Sequence, residues 1–233
     1  MLNFDQFEIL TFDCYGTLID WESGIFSALR PLLTAHGKSI SDIELLELYA
    51  EFEVTAEAGT YRPYREVLEM VTRDFAKRLR FVPTDQEARA LANSVPNWQP
   101  WPDTVAALKR LSERYKLAII SNIDDDLFAK TRPKLGASFD FVITAEQARC
   151  YKPGRAIFQL ALDKIGLDPS RILHVGQSIY HDVLPAQSFG LASVWVNRPS
   201  PRAGIGAVKS AQGRPDLEVP NLQSLADLAA PAR

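Results

Sequence analysis

Cysteine is scarce. Only Cys14 and Cys150 occur in 233 residues, which excludes a disulfide framework and makes a reduced, cytoplasmic compartment the expectation. Basic charge is also short, with 26 Lys and Arg against 29 Asp and Glu. A formal net charge of −3 provides no field for nucleic acid, so none is expected as a partner. No apolar run approaches a membrane span, and the first residues lack the basic and then apolar regions of a signal peptide. No membrane partner is expected either. There is no internal repeat, and only the tail is compositionally biased. What is present is 46% hydrophobic residues, enough for a substantial core built as one domain or as a core with an insert. The partner that remains is a small molecule.

Residues 8–11, Glu-Ile-Leu-Thr, read as a short buried strand leading into Phe-Asp-Cys-Tyr-Gly-Thr-Leu at 12–18. Asp13 thus stands at a strand's carboxyl end, where open α/β sheets place their ligands. Gly16 permits a sharp turn, and Thr17 offers a hydroxyl four residues on. The plainer reading is a carboxylate capping the turn.

The next eighty residues or so hold helices and no convincing strand. Apolar spacing predicts helices over 21–37, from a capping box at Ser41 and Glu44 to Gly59, over 63–79, and over 85–93. Beyond Pro102 the pattern alternates. Strands are expected at 117–120, 141–144, 172–175 and 193–196, with helices at 103–114, 125–135, 155–165 and 182–189 between them. Together with the first strand this is an α/β fold: a doubly wound, Rossmann-like parallel sheet of five strands with an inserted helical domain. Core residues are 1–18 and 99–233, and the insert is 19–98. The tail from 198 to 220 reads as irregular, with a short helix at 222–228.

Each later strand ends in a polar group expected to converge on Asp13. Ser121-Asn122 follows the second strand, Tyr151-Lys152-Pro153 follows the third, and Gly176-Gln-Ser-Ile-Tyr-His-Asp182 follows the fourth. Singly, each has a bland reading, as a helix cap for Asn122 or Asp182 and a solvated charge for Lys152. His174 reads as a buried imidazole within a strand, and His181 has only its adjacency to the motif.

In this order and spacing the four segments resemble the haloacid dehalogenase superfamily. The resemblance implies Asp13 as nucleophile, Lys152 as its counter-ion, Asp182 as a partner, and Ser121 as a ligand for the substrate's acidic group. Two departures from the phosphatase members point the same way. Tyr15 stands in place of the general acid, and Gln177 in place of a metal-binding Asp. Halide leaves without a proton, so a carbon–halogen hydrolase tolerates both. The resemblance therefore implies a metal-independent, cofactor-free 2-haloacid dehalogenase acting through an Asp13 ester. Its catalytic set would be Asp13, Lys152, Asp182, Thr17 and Ser178. The backbone at Cys14 and Tyr15, with Ser121 and Asn122, would hold the substrate. That branch grips the departing halide with an insert arginine; Thr55 stands there in this chain, leaving Arg62 and Arg65 as the nearby substitutes. Dimers are common in the branch, so a homodimer is compatible with the resemblance, and the sequence does not fix the oligomeric state. The alternatives are a Mg-dependent phosphatase with a weakened metal site, or a non-catalytic small-molecule-binding protein of the same fold.

Overall fold

A computed structural model describes residues 2–198 and 206–231. Strand β1 (Ile9–Phe12) is buried at every position, because it is paired in parallel on both sides and covered on both faces. Its neighbours are β2 (Lys116–Ser121) and β4 (Ile172–Gly176), with Phe12 level with Ile119 on one side and Val175 on the other. Strands β3 (Phe141–Thr144) and β5 (Ala192–Val196) lie outside these. The register brings the ends of β1, β2 and β4 to one edge, so Asp13, Ser121 and Gln177 emerge close together.

The five expected strands are present, and a sixth joins them. Strand β6 (Leu217–Val219) pairs in parallel with β5, giving the order β3-β2-β1-β4-β5-β6. This corrects the reading of the tail as irregular throughout. Three residues, one of them the exposed Glu218, are too few to show a period. Residues 199–205 of that tail lie outside the described residues.

Between β1 and the rest of the sheet come α1 (Trp21–Ala35), α2 (Asp42–Glu57), α3 (Tyr64–Leu79), α4 (Asp85–Ala88) and α5 (Ala90–Ser94). Ser41 accepts from the Glu44 N–H, as its place in the sequence suggests. The helix expected over 85–93 is split at Arg89 into α4 and α5, and the complete capping box is Thr84 with Glu87. These helices pack on one another, α2 on α3, and α5 on α1 and α3. The sheet's own helices are α6 (Thr104–Ser112), α7 (Asp125–Thr131), α8 (Ala145–Ala148), α9 (Arg155–Ile165), α10 (Leu184–Ser188) and α11 (Leu222–Ala229). One contiguous core joins both sets, running from Phe12 and Leu18 through Trp21 to Tyr49 and Phe75.

Candidate active site

The site is built on four segments that leave adjacent strands, β3, β2, β1 and β4, at the same edge. Lys152 is 2% exposed, and its Nζ donates to Asp13 Oδ1 at 2.9 Å, Asp182 Oδ1 at 2.6 Å and the Ile120 carbonyl at 3.0 Å. Burial alone would lower the ammonium's pKa, but the charges of Asp13 and Asp182 outweigh it and hold Lys152 protonated. The same ammonium, with a hydrogen bond from His174, overcomes burial to keep Asp182 ionised well below the usual range. Asp13 is pushed up by burial, against the pull of Lys152 and of Thr17.

Thr17 links two of the loops. Its hydroxyl donates to Asp13 Oδ2 at 2.6 Å and accepts the Gln177 N–H at 2.9 Å. Gly16 turns the loop at φ +98°, and Gln177 Oε1 lies 2.9 Å from where a Cβ would sit. At Gly176 a Cβ would meet the Asp182 carboxylate at 2.4 Å, so the absent side chain is the space that Asp182 occupies. Asp182 lies in a single π turn (Ile179–Val183) ahead of α10, and its Oδ2 accepts from the Ser178 N–H at 3.1 Å. Ser178 in turn accepts from the His181 N–H at 2.9 Å.

Asp13, Tyr15, Ser121, Asn122, Lys152, Gln177, Ser178 and Asp182 all line one cavity. The Ser121 hydroxyl is buried there with no hydrogen-bond partner among the described residues, a donor free for a ligand. The Tyr15 phenol shares a hydrogen bond with the Thr131 hydroxyl at 2.8 Å and is raised well above 10 by burial. Three expectations need correction. Asn122 lines the cavity, but its amide is committed. It accepts the Lys152 N–H at 2.7 Å and donates to the Lys152 carbonyl and to Glu57, so it positions the lysine loop. Arg62 turns to the Ala56 carbonyl and Met70, and Arg65 pairs with Asp126. Neither arginine reaches the cavity, because acceptors nearer to each guanidinium hold it. Cys14 is wholly buried in the core and is absent from the cavity lining.

Sequence reasoning missed part of the lining: Trp21, Glu53 and Glu57, Tyr64, His181 and Val208. For Glu53 a signal existed, since it falls in the buried stripe of α2 with Leu46, Tyr49, Ala50 and Ala56. His181 Nε2 is buried without a partner among the described residues, and burial lowers the imidazole to about 4, so it is neutral near pH 7. His174 is, as its strand position suggests, a satisfied core imidazole, with Nδ1 2.9 Å from Thr11 Oγ1.

A phosphatase-type site needs a divalent cation held mainly by carboxylates. Here Gln177 contributes an amide, and Asp13 and Asp182 each direct an oxygen to Lys152. Among the described residues no group of three His, Cys, Asp or Glu side chains is arranged to hold a metal ion. The donor set does not fit one.

Residues 7–190 match the family model of the haloacid dehalogenase-like hydrolases. The chain is 28% identical over 224 residues to (S)-2-haloacid dehalogenase H-109 of Pseudomonas putida, covering 94% of this chain and 96% of that protein. It is 26% identical to haloacetate dehalogenase H-2 of Moraxella sp. (strain B), over 97% of this chain and 99% of the relative. The solved structure of L-2-haloacid dehalogenase from Xanthobacter autotrophicus with chloropropionic acid covalently bound superposes with a TM-score of 0.80. That match has 22% identity and covers 95% of this chain and 98% of the other, a likeness of fold.

Proposed function

The chain belongs to the haloacid dehalogenase-like hydrolases, and on that premise we propose that it hydrolyses the carbon–halogen bond of a small 2-haloalkanoic acid. One carboxylate oxygen of Asp13 attacks the carbon bearing the halogen, the carbon–halogen bond breaks, and halide leaves with its electron pair. Water then adds to the carboxyl carbon of the Asp13 ester, the acyl–oxygen bond breaks, and the 2-hydroxy acid departs with a proton released to solvent. Lys152 and Thr17 orient the two Asp13 oxygens, and Asp182 fixes Lys152. The unpartnered Ser121 hydroxyl takes the substrate carboxylate. Helices of residues 19–98 act as a cap over the core of 1–18 and 99–233, excluding bulk water. The junction supports that division, because the Asp20 N–H donates to the Gln99 carbonyl at 2.9 Å and Ile19 bridges Pro100.

The observation that carries this reading is a buried carboxylate held by an ammonium and a hydroxyl, in a cavity where the described residues form no cation donor set. A phosphate ester brings up to two negative charges into a cavity already lined by Asp13, Asp182, Glu53 and Glu57. A haloacid brings one. Tyr15, tied to Thr131, is a poor proton donor to an alkoxide, and halide needs none.

The test is halide release from 2-chloropropionate enantiomers, chloroacetate and fluoroacetate, with EDTA present, by wild type and Asp13→Asn. Release that survives EDTA and drops at least about a thousandfold in the variant is expected. No halide from any acid, with Mg²⁺-dependent release of phosphate instead, would overturn the reading.

A further inference from the structure

Two glutamates without a role in the proposed reaction share the cavity with Asp13. Glu53 and Glu57 lie one turn apart near the end of α2. Glu53 is 6% exposed. Its Oε1 accepts from the Tyr64 hydroxyl at 2.6 Å and the Tyr49 hydroxyl at 2.9 Å. Two phenols thus converge on one carboxyl oxygen, and a proton on this group belongs on the other, Oε2. Among the described residues Glu57 receives only the Asn122 amide, at 3.3 Å. Neither glutamate forms an ion pair among the described residues, and the cavity's lysine is committed to Asp13 and Asp182.

Among the described residues the cavity is short of positive charge. Asp13 and Asp182 with one Lys152 leave a net negative charge before anything binds. A substrate carboxylate adds a second, and an ionised Glu53 would add a third in the same desolvated space. Other groups facing Glu53 bring little relief. They are Tyr49 and Glu57 on its own helix, Tyr64 on α3, Asp13 and Tyr15 after β1, and Lys152, His181 and Asp182 from the far loops. Of these only Lys152 is cationic near neutral pH.

We propose that Glu53 selects substrates by charge: it carries a proton whenever an anionic substrate occupies the cavity, presents that O–H to it, and in its ionised form turns anions away. The inference rests on the haloacid reading and deepens it, giving substrate binding a linked proton. Burial raises Glu53 to about 7, against the pull of the two phenols, so the switch falls within the working range. Anionic substrates then lose kcat/KM tenfold per pH unit above about 7, while a neutral amide analogue such as 2-chloropropionamide does not.

Calorimetric titration of the full chain with glycolate, a 2-hydroxy acid, in two buffers of different ionisation heat counts the protons taken up. Close to one proton per glycolate is expected at pH 8 in the wild type and close to none in Glu53→Gln, whose amide oxygen still accepts both phenols. Tyr64→Phe supplies an independent check. Losing a donor to the ionised carboxyl moves the alkaline fall of kcat/KM to higher pH, a shift that a purely structural role would not produce. Equal proton uptake in wild type and Glu53→Gln, or glycolate affinity that is the same at pH 6 and pH 8, would overturn the proposal while leaving halide release intact. Proton uptake as expected with no halide from any acid would instead overturn the reaction and leave a proton-linked acid site.

Discussion

Lys152 donates all three ammonium hydrogens inside the protein, to two carboxylates and a carbonyl, so its position is over-determined and Asp13 inherits that rigidity. Glu53 is the opposite case, a buried carboxyl whose partners among the described residues are phenols and no cation. Its ordinary value is 4.5 and its folded value about 7. The folded state therefore holds this proton more tightly than the unfolded chain. Stability from this group is full below about 4.5, declines as pH rises, and is lost above about 7. At roughly 1.4 kcal/mol per unit the penalty is on the order of 3 kcal/mol. Glu53→Gln should accordingly raise the thermal midpoint relative to wild type at pH 8 and give no such gain at pH 4; equal offsets at both would contradict this. Asp13, Thr17, Ser121, Lys152 and Asp182 were legible in the sequence because their four segments, read together, resemble one family's motifs in order and spacing; singly, each had a plainer reading. Glu53 was not, because an acid on a helix reads as solvated unless its neighbours on the same stripe are counted. Arg62 and Arg65 were misread because proximity in the chain does not say which acceptor a flexible guanidinium will find.

Helix α3 shows how elements of the insert are tied to the sheet. Its N-cap, Pro63, has no side chain to offer. Asp124, from the loop after β2, supplies the missing acceptor, taking the Tyr64 N–H at 2.7 Å and the Arg65 N–H at 3.0 Å. A carboxylate there also faces the positive end of the helix dipole. Asp124→Ala should cost about 1–2 kcal/mol in urea denaturation and, because Tyr64 lines the cavity, raise KM more than it lowers kcat. An unchanged stability would show that water satisfies those N–H groups equally well. Strands and most helices were readable from apolar period and flanking glycines, and 141–144 and 155–165 match to the residue. Features set by tertiary contact were not: the break at Arg89, the π turn around Asp182 and the three-residue β6 carry no local period.

Across the whole molecule a single buried cluster spans the sheet and the insert, and polar links reinforce it. The Tyr151 hydroxyl donates to the Arg62 carbonyl at 2.8 Å, and Lys134 bonds the carbonyls of Pro96 and Trp98. The tail joins in. Arg198 donates to the Thr17 carbonyl and pairs with Asp103 at 2.9 Å, the Ala207 N–H donates to Glu22, and Val208 reaches the cavity wall. Unfolding in urea should therefore follow one transition, with tryptophan fluorescence and far-ultraviolet dichroism coinciding; two separated transitions would show that the insert unfolds alone. In the proposed reaction Asp13 carries the substrate as an ester. That ester is tested most directly by one turnover of excess enzyme on the preferred haloacid in water labelled with heavy oxygen, followed by mass spectrometry of the peptide containing Asp13. One heavy oxygen is expected in Asp13 and none in the hydroxyl of the product. A labelled product with an unlabelled Asp13 would mean that water attacks the substrate itself, and would contradict the ester.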